Sequence, residues 1–279
     1  MWLSWQVAMQ MAMVLVVVAV VGSRVRNPQR AVVTVVAVAR ETALVLGLYA
    51  LWQYAHDLAV HKTEGAIEHA HWVWNFERRW HFPSELSIQQ AFLPHPLLTK
   101  ALDIYYAVAH VPGVGILLVW LFFRHRDRYP RVRTSLALMI GGCLLIQMVP
   151  VAPPRFLTDL GFVDVGLRDG LSVYGTGGSG ISNQVAAMPS HHMGWAVLVG
   201  IAVVTISTSR WRWFVLLHPV LTLLAVVATA NHWWLDGVVA WIVLGVGYAL
   251  QLAVVAVLAR VRRSETQALA PAGQYLSSR

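Results

Sequence analysis

Residues 234–259 read Trp234-Leu-Asp-Gly-Val-Val-Ala-Trp-Ile-Val-Leu-Gly-Val-Gly-Tyr-Ala-Leu-Gln-Leu-Ala-Val-Val-Ala-Val-Leu-Ala259, with one charged residue, Asp236, near the start and none in the 23 positions after it. Roughly 20 consecutive apolar residues in helix cross a bilayer's hydrocarbon core, so this stretch reads as a transmembrane helix with a carboxylate at one end. Working outward, similar runs occupy about 2–22, 31–54, 101–123, 134–150, 192–208 and 212–230. In lipid every backbone N–H and C=O must be paired within its own segment. The expected fold is therefore all-α, a polytopic membrane bundle of about six to seven transmembrane helices. Composition agrees: 57% of residues are hydrophobic and 12% charged, against about 25% charged in soluble domains. The first run has no Lys or Arg ahead of it and is long for a secretory signal. It reads as a retained helix with its N-terminus outside.

The net charge of +8 is a matter of topology rather than of nucleic-acid binding. Arg24, Arg26, Arg30, Arg124, Arg126, Arg128, Arg131, Arg133, Arg210, Arg212, Arg260, Arg262 and Arg263 fall on one side of the expected spans; only Lys62, Arg78, Arg79, Lys100, Arg155 and Arg168 fall on the other. The positive-inside rule makes the first side cytoplasmic, so segments 55–100 and 152–187 face outward. The first of these carries Trp72, Trp74 and Trp80 and six histidines (His56, His61, His69, His71, His81 and His95), and reads as polar, interfacial chain. The second opens on Ala152-Pro-Pro-Arg155 and later holds Gly175-Thr-Gly-Gly-Ser-Gly180, a loop that could cover an outer-face site. With no repeat and no linker, residues 1–263 form one expected domain, its chemistry within 150–240, followed by a polar cytoplasmic tail at 264–279. The lone cysteine, Cys143, lies inside a span and reads as packing.

Three polar clusters meet at the outer ends of spans: Pro153-Pro-Arg155-Phe156, Ala187-Met-Pro-Ser190-His-His192 and Asn231-His232-Trp-Trp-Leu-Asp236. Pro189 suits a helix's first turn, whose free N–H groups and positive dipole end would attract an anion. Ser190 adds a hydroxyl donor, and Arg155 a planar fork for phosphate oxygens. His232 and Asp236, four apart, share a face if helix begins there. The carboxylate would then hold the imidazole in one tautomer and leave the other nitrogen to attack. His192 could protonate a leaving oxygen.

These clusters resemble the type 2 phosphatidic acid phosphatase superfamily, whose second motif reads Pro-Ser-x-His and whose third ends His-x-x-x-Asp. The strings Pro150-Val-Ala-Pro-Pro-Arg155 and Ala186-Ala-Met-Pro-Ser-His-His-Met-Gly-Trp195 look like the bacterial branch related to inositol phosphorylceramide synthases. The resemblance covers roughly 70–255. It implies His232 as a nucleophile that becomes phosphohistidine, Asp236 as its orienting group, His192 as general acid, and Ser190 and Arg155 as phosphate ligands. It also implies catalysis with no metal or other cofactor. The substrate class would be a phosphorylated lipid such as phosphatidate or a polyprenyl diphosphate, handled at the outer face of the plasma membrane. The phosphatase form of the motifs has a Lys where this chain has Met148, a Pro where it has Phe156, and Ser-Arg where it has Ala225-Val226. Arg168, Lys100, Arg78 and Arg79 are the outer-face cations that could replace the missing ones.

Other polar groups lie within spans. Arg40 and Glu41 sit mid-span, where a charge costs at least ~2.5 kcal/mol, so each is expected to pair with another helix. The resemblance to that bacterial branch also marks Tyr105 and His110 as second-tier site candidates, with Asn231 a third. His218 before Pro219 reads as a kink, His191 has no assigned role, and Trp195, Trp233 and Trp234 read as interfacial anchors. Hydrolysis of a lipid phosphate and transfer of a phosphoryl-headgroup, such as inositol phosphate, to a lipid alcohol share the first chemical step. Two other classes compete: an intramembrane serine protease built on Gly177-Gly-Ser179-Gly180, and a transporter or scaffold using Arg40 and Glu41.

The topology is checked by Ser179→Cys and Arg128→Cys in a Cys143→Ala background. In intact cells a membrane-impermeant thiol reagent should label the first and spare the second; the reverse pattern contradicts the assignment.

Overall fold

A computed structural model describes residues 3–60, 63–168 and 185–268. All seven apolar runs are helical in it. The hairpin of α1 (Trp5–Ser23) and α2 (Arg30–Val60) comes first, then two helices in the segment read as polar loop, α3 (Ala66–Arg79) and α4 (Glu85–Phe92). The third run is broken into α5 (Pro96–Val108) and α6 (His110–Arg124), bent by 44°. There follow α7 (Tyr129–Ile146), the short α8 (Val165–Arg168), α9 (His191–Ile206), α10 (Leu217–Ala228) and α11 (Trp234–Ala268). Among the described residues there is no strand, only an isolated parallel bridge between Val151 and Ala186. The protein is an all-α membrane bundle. Four helices are long and apolar enough to cross a bilayer singly, and five if the α5–α6 pair counts as one span; α9 is shorter.

Three apolar cores organise the bundle. Leu117 and Leu121 of α6, Met139 and Cys143 of α7, Leu198 and Val199 of α9 and Leu244 of α11 form the first, so Cys143 packs as expected. Helix α7 approaches α11 closely: a Cβ added at Gly142 would stand 2.6 Å from Val243 Cγ1. Leu102 and Tyr106 of α5, Met193 of α9 and Ala225–Ala228 of α10 form the second. The third lies outside the long helices and joins Ala66, Ala70 and Val73 of α3 to Val151, Ala152, Leu157, Phe162, Val185, Ala230 and Trp233. The buried positions of α3 are 66, 70, 73 and 77, one face at helical spacing.

Helices α1 and α2 bury alanines at matching intervals, Ala8, Ala12 and Ala19 on one and Ala39, Ala43 and Ala50 on the other, the small residues that let membrane helices approach. Glu41 of α2 is ion-paired with Arg133 of α7, the cross-helix partner expected for a charge inside a span.

Several expectations need correction. Segment 55–100 is largely helix rather than loop, because α3 has an apolar face to bury. Trp233 is no interfacial anchor: it is buried and donates its indole N–H to Ala152 O at 3.0 Å. Pro189 is not in the first turn of α9 but one residue before the N-cap, Ser190. His218 marks no mid-span kink; residues Arg210–Leu216 form a 3-10 turn and α10 starts at Leu217, which puts Pro219 in its first turn. The tail beginning at Ser264 starts as a continuation of α11, through Ala268.

Removing one member of the Glu41–Arg133 pair leaves the other charge unpaired in a partly dry setting, at a cost of about 2–3 kcal/mol. Glu41→Ala should lower the unfolding midpoint of the detergent-purified protein, and adding Arg133→Met should restore part of it. A double variant weaker than Glu41→Ala contradicts the pairing as the source.

Candidate active site

Helix α10 ends in a Schellman turn. Asn231 N–H donates to Val226 O at 2.9 Å and Ala230 N–H to Val227 O at 3.0 Å, the paired bonds of that motif. The residue that must turn left-handed is Ala230, at φ 54°, where glycine is the usual occupant; a side chain there costs roughly 1 kcal/mol. The turn reverses the chain and sets Asn231 and His232 just ahead of α11.

His232 is buried. Its Nδ1 lies 2.9 Å from Ala187 O and 3.0 Å from Asp236 Oδ2. Both partners are acceptors, so Nδ1 carries the proton and Nε2 keeps its lone pair. Nε2 is buried and makes no hydrogen bond. Asp236 is fully buried, and Oδ2 also accepts Trp233 N–H at 2.9 Å. That contact closes the first turn of α11 as half of a capping box. Helix begins only at Trp234, so His232 precedes it, yet the four-residue spacing still brings ring and carboxylate together.

Ser190 is fully buried and caps α9: its Oγ accepts Met193 N–H at 3.3 Å. The hydroxyl hydrogen is left to donate elsewhere. Ser190 N–H donates to Asp236 O at 3.1 Å, which ties the start of α9 to that of α11. The His192 ring centroid lies 5.8 Å from that of His232. Its Nδ1 is buried without a partner, and Tyr106 and His110 stand against it at 4.3 and 4.9 Å between centroids.

Arg155 arrives on a 3-10 turn, Pro154–Phe156. Its N–H donates to Ala230 O at 3.0 Å. The buried guanidinium donates to Asn231 Oδ1, and its Nε lies 3.3 Å from Asp164 Oδ2. Asn231 Nδ2 in turn donates to Thr229 Oγ1 at 2.7 Å. Of the second-tier residues, Asn231 thus fixes Arg155 beside the turn that carries His232. Tyr105 and His110 belong to a polar patch within the bundle. Thr222 Oγ1 lies 3.0 Å from His110 Nε2 and 3.3 Å from the Tyr105 hydroxyl, which lies 2.5 Å from His218 Nδ1. Through His110 the patch adjoins His192.

Three stretches distant in sequence are therefore bonded backbone to backbone. Val151 N–H donates to Val185 O and Ala187 N–H to Val151 O, at 2.9 and 3.0 Å, and Ala152 N–H donates to Ala66 O at 3.0 Å. Ser179 and the glycine-rich segment around it lie outside the described residues. Among the described residues no group of three or more His, Cys, Asp or Glu side chains is disposed to hold a metal ion.

Sequence reading missed Glu77, Glu85 and Asp164. Glu77 Oε1 accepts Leu235 N–H at 2.7 Å, the free first-turn donor next to Asp236. Glu85 Oε2 takes Arg78 Nη2 at 2.9 Å, and the Arg78 guanidinium lies 4.5 Å from the Trp74 ring centroid. Arg78 is therefore committed to Glu85. Arg168 Nη2 donates to Thr99 Oγ1 at 3.2 Å, while Arg79 and Lys100 are exposed. The signal for Glu77 was available: it continues the apolar register 66, 70, 73 of α3.

A family model described as the PAP2 superfamily matches residues 71–250. The match covers more than half of the chain, which belongs to that superfamily, a group of phosphatase- and phosphotransferase-type enzymes. Its span begins after α2 and takes in Glu77, Arg155, Ser190, His192, His232 and Asp236. No curated protein and no solved structure matches the chain.

Proposed function

We propose that this protein is a lipid-phosphate phosphatase or phosphotransferase of the plasma membrane, working at the outer face through a phosphohistidine on His232. The observation that carries the reading is the state of that ring: Nδ1–H held by Asp236 and Ala187, Nε2 buried and bare. The Nε2 lone pair attacks phosphorus, and the ester P–O bond breaks. The leaving oxygen takes a proton from His192, whose ring lies beside that of His232. Asp236 stabilises the positive charge that forms on the imidazole. Ser190 O–H, the N–H groups opening α9 and the Arg155 guanidinium bind the phosphoryl oxygens, with the positive end of α9 favouring their charge. In the second step His192 takes the proton of the incoming hydroxyl, which attacks phosphorus and breaks the P–N bond. No step calls for a metal.

Water as that second hydroxyl gives a phosphatase, and an alcohol gives a headgroup transferase of the inositol phosphorylceramide synthase kind. The alcohol reading draws support from the Tyr105, His110, Thr222 and His218 patch beside His192, a set of hydrogen-bonding groups suited to a hydroxylated acceptor. The six basic residues on the site's side of the chain, against thirteen on the other, support the outward orientation.

Phosphate release from a panel of lipid phosphates and diphosphates, with and without alcohol acceptors, distinguishes the two readings. Turnover should persist in EDTA. His232→Ala should abolish it, and Asp236→Asn should lower it by up to about 10⁴-fold, by analogy with the Ser-His-Asp case. His192→Ala should hurt alkyl esters far more than a nitrophenyl phosphate, whose leaving group needs little protonation. Full activity in His232→Ala, or zinc-dependent activity after chelation, contradicts the mechanism.

A further inference from the structure

The His232–Asp236 pair depends on where the first turn of α11 lies, and Trp233, the residue before that helix, has no side-chain oxygen with which to cap it. Asp236 closes the turn from inside by accepting Trp233 N–H. Another first-turn donor, Leu235 N–H, is taken by Glu77, 158 residues earlier in the chain, at 2.7 Å. Glu77 is fully buried. It lies on the inner face of α3 with Ala66, Ala70 and Val73, so packing of that helix decides where the carboxyl can reach. We propose that Glu77 is a positioning residue for the phosphoryl-transfer site: bonded to Leu235 N–H and held on the buried face of α3, it fixes the first turn of α11 and so the Asp236 carboxylate behind His232. This inference rests on the reading of His232 as nucleophile.

The charged groups around Glu77 are Arg78 on its own helix, Glu85 from α4 and Asp236 from α11. Asp159, in the loop packed on α3, is taken up by His71 at 3.3 Å. Burial, the hydrogen bond and negative charge of Glu85, and the charge of Asp236 together push the Glu77 carboxyl up to about 10, against the opposing pull of Leu235 N–H. At neutral pH Glu77 is thus a neutral acid. Its Oε1 receives Leu235 N–H, while Arg78 Nη2 is paired with Glu85 Oε2 at 2.9 Å. A second anion close to Asp236 and an incoming phosphate is thereby avoided. The folded-state value lies above the ordinary 4.5. The stability contributed by this proton is therefore complete below about 4.5 and declines as pH rises towards 10.

The test uses the full-length protein in detergent with dioleoyl phosphatidate in mixed micelles as probe, and compares Glu77→Gln, Glu77→Ala and Asp236→Asn. Glutamine keeps the acceptor for Leu235 N–H and removes the ionisable group. Glu77→Gln should keep kcat within about threefold of wild type. Wild type should lose both kcat and thermal midpoint as pH rises from 8 to 10, and Glu77→Gln should flatten that fall. Glu77→Ala should lower kcat on the order of 10²-fold, the cost of a misplacement of about 1 Å, with KM little changed. A second readout needs no substrate: the rate at which diethyl pyrocarbonate modifies His232, mapped by mass spectrometry, should match Asp236→Asn in the alanine variant and wild type in the glutamine variant. If phosphatidate is not turned over by wild type, the functional reading fails on that probe and the modification rates alone judge Glu77. Should the alanine variant not fold, the pH profile of Glu77→Gln decides. The proposal is overturned if Glu77→Ala behaves as wild type, if glutamine fails as fully as alanine, or if the glutamine variant keeps the wild-type alkaline fall.

Discussion

The hydrogen bonds from His232 Nδ1–H to Asp236 and Ala187 set what the rest of the site can be. An imidazole free to rotate or to change tautomer offers its lone pair in many directions, most of them unproductive. Two acceptors at 2.9 and 3.0 Å fix the proton on one nitrogen and aim the other. Because one acceptor is a backbone carbonyl beside the α9 cap and the other a side chain of α11, His232 keeps its orientation only while those two helix starts keep their relation. The Ser190 N–H bond to Asp236 O is the direct link between them.

That dependence explains the architecture around the site. The long helices satisfy their own backbone groups and need little from each other beyond packing. The segments between them cannot do so, and here they pair with one another: 150–155 with 185–187, with the α10–α11 turn and with the start of α3. The core built from Ala66, Ala70, Val73, Phe162 and Trp233 keeps these bonds dry. Helices α3 and α4 therefore form a platform under the start of α11 rather than a surface decoration, bonded to it through Glu77 and through Pro83 O, which accepts the Trp234 indole N–H at 2.8 Å.

Much of this was legible in the sequence because it is periodic or local. Runs of apolar residues marked every long helix. Pro-Ser-x-His and His-x-x-x-Asp marked two helix starts, and the superfamily match over 71–250 rests on the same part of the chain. What could not be read depends on contacts between distant segments. The break at Ala109 splits one apolar run into α5 and α6 just ahead of Pro112, which cannot donate to Val108 O and crowds it, a signal that the unbroken apolar run hides. Trp233 looks like any interfacial tryptophan until the loop carrying Ala152 is placed against it. Ala230 gives no sign that it must adopt a left-handed conformation, since glycine is the residue that usually announces one. Asp164 and Asn231 meet Arg155 only through the fold. Glu77 stood in plain register on α3, but an acid among tryptophans and histidines reads as solvated until something shows which face is inside.

The central claim is that His232 Nε2 forms a bond to phosphorus, and the most direct test is to trap it. The detergent-solubilised protein, mixed rapidly with a lipid phosphate carrying labelled phosphorus and quenched in alkali, should yield label on a peptide containing His232, stable to base and lost in acid. The same label should appear in His192→Ala and be absent from His232→Ala. Label on Ser190, or on His192 with His232 intact and unmodified, would contradict the account.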